Sequence, residues 1–114
     1  MIKRLKPGKR FSLAVIANGV VTTAGITARD TSGDVKAQTK DILEQIDGLL
    51  AEAGSSKSKL LTTSIWLRDI AQFAAMNEVW DAWIDPQNMP VRATVEARLA
   101  LAELLVEIQV SATV

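Results

Sequence analysis

Two residues of opposite charge in the last quarter of the chain are the best candidates for chemistry. Arg92 and Glu107 each lie in a segment where apolar and polar residues alternate. An arginine presents a rigid, always-charged fork that can bind a carboxylate through two parallel hydrogen bonds. A glutamate can orient a water molecule or accept its proton. The pair is therefore suited to binding a carboxylate and to holding or activating water, although the pattern alone favours an ordinary solvated sheet face with surface charges.

The segments that hold these two residues predict a β-hairpin. Apolar and polar residues alternate over 91–99 and again over 104–114, which is the periodicity of a strand. A loop over 100–103 would make the two strands direct neighbours, with Arg92 and Glu107 on the same face. In that register the two residues would be roughly 13 Å apart along the strands. A bridging ligand and water, the twist of the sheet, or a contribution from a neighbouring subunit are the open explanations for that gap.

The rest of the chain predicts the elements that must position these residues. Asn18-Gly19 is a strong two-residue turn signal and predicts a hairpin of segments 11–17 and 20–26. Helical spacing predicts one helix from capping residues 31–34 to Gly54, and a second from an Asp69–Gln72 capping box to about residue 84. A strand over 61–68 would lie parallel to the one over 91–99, and a short extra strand is expected at 2–5. The fold class is therefore α+β, a single mixed sheet with two helices on one face.

The first hairpin is apolar on both faces, which has a consequence for assembly. Phe11 and Val15 would lie on one face, and Ala14 and Ile16 on the other. Two helices can cover only one face of a sheet, so the second face is expected to meet a neighbouring subunit. Trp66 falls on a strand face with small hydroxyl residues, and the pattern leaves open whether it belongs to such an interface.

The amino-acid composition excludes several classes of catalysis and binding. The 114 residues, taken as one domain over 1–114, include no histidine, cysteine or tyrosine, which excludes Ser–His–Asp catalysis, thiol nucleophiles and histidine zinc sites. Formal net charge is zero, but five basic residues fall within the first ten positions and leave the remainder acidic. That remainder argues against a nucleic-acid surface, and the basic start is expected to be a solvated edge. No apolar run approaches a membrane span and no secretory signal precedes the fold, so a cytoplasmic protein is expected.

These segments together resemble the Rid family, the YjgF-like reactive-intermediate deaminases. The family signature starts a strand with Pro-x-Arg, here Pro90 and Arg92, and has a glutamate after an aliphatic residue in the last strand, here Glu107. The helix pattern Phe-x-x-x-Asn that ends at Asn77 and the hairpin end at Gly25 also match. The resemblance extends from about residue 9 to residue 114.

The resemblance implies a homotrimer of chorismate-mutase-like subunits with clefts at the subunit interfaces. It also implies hydrolysis of 2-imino acids to 2-oxo acids and ammonia, with no cofactor and no metal. Arg92 would bind the substrate carboxylate and Glu107 would position the water. The residues that the resemblance assigns to substrate binding are Arg92, Gly25, Phe11, Thr94 and Asn77.

Three positions depart from the family pattern. Phe11 stands where well-studied members have a tyrosine, Ala24 replaces a hydroxyl residue, and Thr94 replaces a cysteine. Loss of two hydroxyl groups predicts a more apolar pocket that favours imino acids with apolar side chains. Two other functions stay open: a non-catalytic module that binds small carboxylates through Arg92, and, with less support from the sequence, RNA cleavage or translation inhibition.

Overall fold

Six strands form one mixed sheet, and two helices pack on one of its faces, in a computed structural model that describes residues 1–114. The order of strands across the sheet is β1-β2-β3-β6-β4-β5. The strands are β1 (Lys3–Pro7), β2 (Ser12–Ala17), β3 (Val20–Thr23), β4 (Leu60–Leu67), β5 (Val91–Glu96) and β6 (Val106–Thr113). The helices are α1 (Val35–Glu52) and α2 (Phe73–Trp83). The predicted α+β class and the two helices are confirmed.

The hairpin of β2 and β3 forms at the predicted turn. Asn18 and Gly19 have φ angles of 52° and 76°, the left-handed conformation that a tight hairpin turn needs. Ala14 lies opposite Thr23 in the register expected from that turn. β1 adds to the outer edge of β2 as an antiparallel strand, slightly longer than the short strand that the sequence predicts.

Helix α1 begins and ends where the sequence predicts. The Asp34 side chain accepts a hydrogen bond of 2.9 Å from the Ala37 N–H at its start, and Gly54 adopts a φ of 81° just after its end. Helix α2 begins later than predicted, after a short 3₁₀ turn over Ile70–Gln72. Asp69 caps that turn through the Ala71 N–H, but the predicted capping box does not form.

The predicted hairpin of the last two strands is wrong. β4 lies between β5 and β6, parallel to β5 and antiparallel to β6. The parallel pairing of β4 with β5 across α2 was expected and is confirmed. The connection between β5 and β6 covers residues 97–105, because it must cross the end of β4.

Arg68, directly after β4, holds this crossing connection. Its Nε donates to the Leu104 carbonyl at 2.8 Å, and its terminal nitrogen donates to the Leu101 carbonyl at 2.6 Å. The buried Gln38 of α1 donates to the Glu103 carbonyl and accepts from the Leu105 N–H, both at 3.0 Å. These bonds satisfy backbone groups that no strand pairs, so the connection is fixed without being a turn of a hairpin.

The core lies between the sheet and the helices. Its fully buried side chains include Ile42 and Ile46 of α1, Met76 of α2, and Ile65 and Ile108 of the sheet. Each such aliphatic side chain contributes about 1.5–3 kcal/mol through burial. Neither helix is long and apolar enough to cross a lipid bilayer.

The other face of the sheet has no helix, and we call it the open face. Val91 and Val95 of β5 are 69% and 50% exposed there. Trp66 is the cross-strand neighbour of Val95 and lies on the same face. The open face therefore exposes apolar side chains along β5.

Candidate functional site

Glu107 lies on the open face of β6, next to the segment that follows β3. Ile26 and Ile108 exchange two backbone hydrogen bonds, of 2.8 and 3.0 Å, which hold this segment beside β6. Gly25, one residue before Ile26, is thereby placed against the Glu107 side chain. The Glu107 carboxylate is half-buried and takes part in no hydrogen bond or ion pair within the chain.

Gly25 is required by this close approach. A Cβ atom there would lie 3.0 Å from Glu107 Cδ and 3.3 Å from Cγ, and would overlap the carboxylate itself. Gly25 does not have a positive φ, so its role is steric rather than conformational. The residue that the family resemblance assigned to substrate binding thus fixes where the Glu107 carboxylate lies.

Glu107 and Gly25 border a groove of about 740 Å³, which we call the glutamate groove. Cavities of this size are typical of small-molecule sites. Phe11 lines it and is 62% exposed, so its ring is available for contact. The other lining residues are Arg4, Gly8, Lys9, Arg10, Ser12, Ala14, Val15, Thr22, Thr23 and Ala24. Three basic side chains among them make the groove more polar than the expected apolar pocket.

Arg92 lies on the other face of the sheet, against α2. Its Cζ is 5.7 Å from the Phe73 ring centroid and 5.2 Å from the Trp80 ring centroid. A guanidinium held over two aromatic rings is stabilised by their negative faces and has few freely accessible rotamers. Burial lowers the pKa of Arg92 from its usual value, and the Asp81 carboxylate acts in the opposite direction. The group stays cationic, because arginine does not deprotonate in proteins.

Two further polar groups lie beside Arg92 without a partner. Thr94 is the next residue on the same face of β5, and Asn77 is on the face of α2 that carries Phe73 and Trp80. Asn77 Oδ1 and Thr94 Oγ1 are both buried and lack a hydrogen-bond partner. We call Arg92, Thr94 and Asn77 the arginine cluster.

The structure therefore divides the predicted site residues into two groups. Phe11, Gly25 and Glu107 come together in the glutamate groove, and Arg92, Thr94 and Asn77 come together in the arginine cluster. Within one chain the two groups lie on opposite faces of the sheet.

This separation corrects the expectation that Arg92 and Glu107 share a face. Thr63 of β4 is the partner of both Arg92 and Val110, and Trp66 is the partner of Glu107. Cross-strand partners share a face and successive residues alternate, so Arg92 and Glu107 point to opposite sides. The insertion of β4 changed the register that a direct hairpin would have had.

The basic residues of the groove were missed by sequence reasoning, which predicted a solvated edge. Lys9 and Arg10 form the tip of the β1–β2 turn, directly before Phe11. Their position directly before Phe11, a predicted site residue, was the signal in the sequence that could have placed them at the site. No group of three or more acidic, histidine or cysteine side chains is arranged to bind a metal ion.

Comparison with known proteins gives matches along the whole chain. The family model for endoribonuclease L-PSP matches residues 1–114. A RutC family protein of Haemophilus ducreyi is 40% identical over 114 residues, which cover 100% of this chain and 97% of that protein. The crystal structure of a YjgF family member from Neisseria meningitidis has a TM-score of 0.96 and 43% identity, and covers 99% of this chain and 94% of that one. A Rid family protein of unknown function from Yersinia pestis has a TM-score of 0.86 at 29% identity, over 93% of this chain and 89% of its own.

Proposed function

Because this chain belongs to the endoribonuclease L-PSP family, which includes the RutC, YjgF and Rid proteins, we propose that it hydrolyses 2-imino acids at sites shared between subunits. Water adds to the carbon of the C=N bond, and the C–N bond then breaks. The products are a 2-oxo acid and ammonia. No oxidant, reductant or cofactor is needed to balance this reaction.

The observation that carries the proposal is the unpartnered state of the arginine cluster. The Arg92 side chain has no hydrogen bond and no ion pair within the chain, and Asn77 Oδ1 and Thr94 Oγ1 are also unpaired. Buried polar groups in folded proteins are normally satisfied, so two such atoms close to an unpaired guanidinium are suited to binding a polar ligand. A 2-imino acid supplies a carboxylate for the guanidinium and N–H groups for an acceptor such as Asn77 Oδ1.

Glu107 supplies the second part of the chemistry. Its carboxylate has no partner in the chain and borders the groove, so it is free to accept a hydrogen bond from water and orient it toward the imine carbon. Positioning alone can contribute several kcal/mol to such a reaction. The absence of histidine is compatible with this, because the water needs orientation and one proton acceptor.

A site that uses both groups requires a second subunit. Arg92 lies on β5, the edge strand of the sheet, whereas Glu107 lies on the open face. Covering the open face with a neighbouring chain would bury Val91, Val95 and Trp66 and bring one chain's edge close to the other's groove. We propose the homotrimer that the family resemblance implies, with one site at each interface.

A second function, binding of small carboxylates without turnover, also has an observation in its favour. Phe11 and Ala24 provide no hydroxyl group in the groove, and no side chain there forms a hydrogen bond or ion pair with the Glu107 carboxylate. A 2-oxo acid could then bind at Arg92 while water remains poorly oriented. Binding and turnover must therefore be measured separately.

The deciding experiment is the release of ammonia and 2-oxo acid from 2-imino acids freshly generated by an amino-acid oxidase. The wild type should accelerate release, Arg92→Ala should abolish both release and 2-oxo acid binding, and Glu107→Gln should lower turnover much more than binding. Arg98→Ala and Glu103→Gln remove exposed charges that belong to neither group and serve as matched controls.

Tight 2-oxo acid binding without any acceleration would support the binding module instead of the deaminase. Unchanged turnover in Arg92→Ala would contradict both functions, since each relies on the same guanidinium. Salt-dependent binding of RNA without either activity would favour the nucleic-acid function.

A further inference from the structure

The glutamate groove contains more positive charge than the proposed reaction needs. Arg4, Lys9 and Arg10 line it, and Glu107 is the only acidic residue that does. None of these three side chains takes part in a hydrogen bond or ion pair within the chain. The ion pairs of the chain are Lys6–Glu52, Arg29–Asp41 and Lys36–Glu78.

Two of these cations, Lys9 and Arg10, lie on a short, hydrogen-bonded turn. The Gly8 N–H donates to the Phe11 carbonyl at 2.8 Å and closes the connection between β1 and β2. Pro7 pairs with Ser12 on either side of it, so Lys9 and Arg10 are at the tip of a tight loop. Arg4 lies on the open face of β1 as the partner of Val15. The positive charges are therefore contributed by a paired strand and by a hydrogen-bonded turn that leads directly into Phe11.

We infer that the groove recognises a second anionic group at the far end of the substrate, so that the preferred substrates are 2-imino dicarboxylic acids. This inference rests on the proposed function, because Arg92 already accounts for the carboxylate next to the imine. The Phe11 ring and the backbone at Gly25 would contact the short carbon chain between the two ends. Lys9 and Arg10 would then meet the second carboxylate.

Charge and size both support this class of substrate. A groove lined by cations attracts dianions more strongly than monoanions, and low ionic strength increases the difference. A volume of about 740 Å³ holds a five-carbon diacid together with water. An apolar imino acid would leave the three cations as they are now, without an ion-pair partner.

The test compares two imines of nearly equal shape, generated from glutamate and from 2-aminopentanoic acid, which lacks the second carboxylate. In the wild type at low salt, kcat/KM should be about tenfold higher for the glutamate imine. Two or three exposed ion pairs between its second carboxylate and the cations of the groove are enough for a factor of about ten. The double variant Lys9→Gln/Arg10→Gln should reduce this ratio at least about fivefold. The control Lys3→Gln/Lys59→Gln removes the same charge outside the groove and should keep the ratio.

Failure of the inference and failure of the proposed function give different results. Equal kcat/KM for both imines, or a preference that survives in Lys9→Gln/Arg10→Gln, would overturn the inference and leave the deaminase intact. If neither imine is hydrolysed, the deaminase fails, and calorimetry with 2-oxoglutarate and 2-oxopentanoate still decides the inference. Tighter binding of 2-oxoglutarate that Lys9→Gln/Arg10→Gln removes would support it, and equal binding of the two acids would overturn it.

Discussion

Gly25→Ala provides a sharp test of how the candidate site is built, because it changes one methyl group beside Glu107. The added Cβ would lie 3.0 Å from Glu107 Cδ and overlap its carboxylate, so the side chain must rotate away into the groove. The backbone at Gly25 has no positive φ and accepts alanine without strain. The substitution therefore displaces the carboxylate and leaves the fold in place.

The magnitude follows from this geometry. A misplacement of a reacting group by about 1 Å can cost about 100-fold in rate, so kcat should fall by about 10- to 100-fold. A Glu107 side chain forced off its preferred rotamer costs about 0.5–1.5 kcal/mol. For a domain of this size that corresponds to a loss of at most about 8 °C in Tm. Binding of a 2-oxo acid, which depends on Arg92, should weaken much less.

Gly48→Ala is the matched control, since it adds the same methyl group where nothing lies within 4 Å. Gly48 is inside α1, where alanine is favoured over glycine by about 0.5–1 kcal/mol, so Tm should rise and activity should not change. The assay is steady-state 2-oxo acid release together with thermal unfolding of both variants.

A double-mutant cycle separates this explanation from general damage to the site. If Gly25→Ala acts through Glu107, it should add little to the loss already caused by Glu107→Gln. Two independent losses that multiply would refute the reasoning, as would a Gly25→Ala enzyme with wild-type kcat.

Two further outcomes are expected from other parts of the molecule. Asn77→Ala should change Tm by no more than about 2 °C, because Asn77 Oδ1 has no hydrogen-bond partner to lose. The same substitution should weaken 2-oxo acid binding severalfold in calorimetry. A large loss of Tm with unchanged binding would make Asn77 a structural residue. Val95→Asp places a charge among exposed apolar residues of the open face and should convert the proposed trimer to monomers in light scattering, with loss of activity. An unchanged trimer would show that this part of the open face lies outside the interface, and Glu103→Gln is a control that should not alter assembly.

Much of the fold could be predicted because its signals are local. The Asn18-Gly19 turn set the register of β2 and β3, and Asp34 and Gly54 marked the ends of α1. These residues act on backbone groups within a few positions of themselves, so spacing along the chain contains the necessary information. The parallel pairing of β4 and β5 followed from the helix between them.

The pairing of β5 and β6 could not be predicted in the same way. Alternation shows that a segment is a strand but does not show which strand lies beside it. β4 lies between them because Ile65 and Leu67 are buried there among the apolar residues of β6, and Arg68 satisfies the connection that crosses its end. Arg68 and Gln38 act over more than thirty residues of sequence, and no local pattern reveals such partners.

The same limit applies to the candidate site. The residue types at Arg92, Glu107, Gly25, Phe11, Thr94 and Asn77 could be named from the sequence. Which face each residue lies on depends on the residue that it pairs with in the neighbouring strand. With β4 inserted between β5 and β6, Arg92 and Glu107 lie on opposite faces instead of the same face. The basic groove depends on how β1 folds back on β2, so its residues were assigned to a solvated edge.

The opposite placement of Arg92 and Glu107 has a genetic consequence. If each site takes Arg92 from one chain and Glu107 from the next, two individually inactive variants can complement each other. Trimers assembled at random from equal amounts of Arg92→Ala and Glu107→Gln chains would have both native groups at about one quarter of their sites. Co-expression of the two alleles should therefore restore about that fraction of wild-type activity, whereas alleles that damage the same group would restore none.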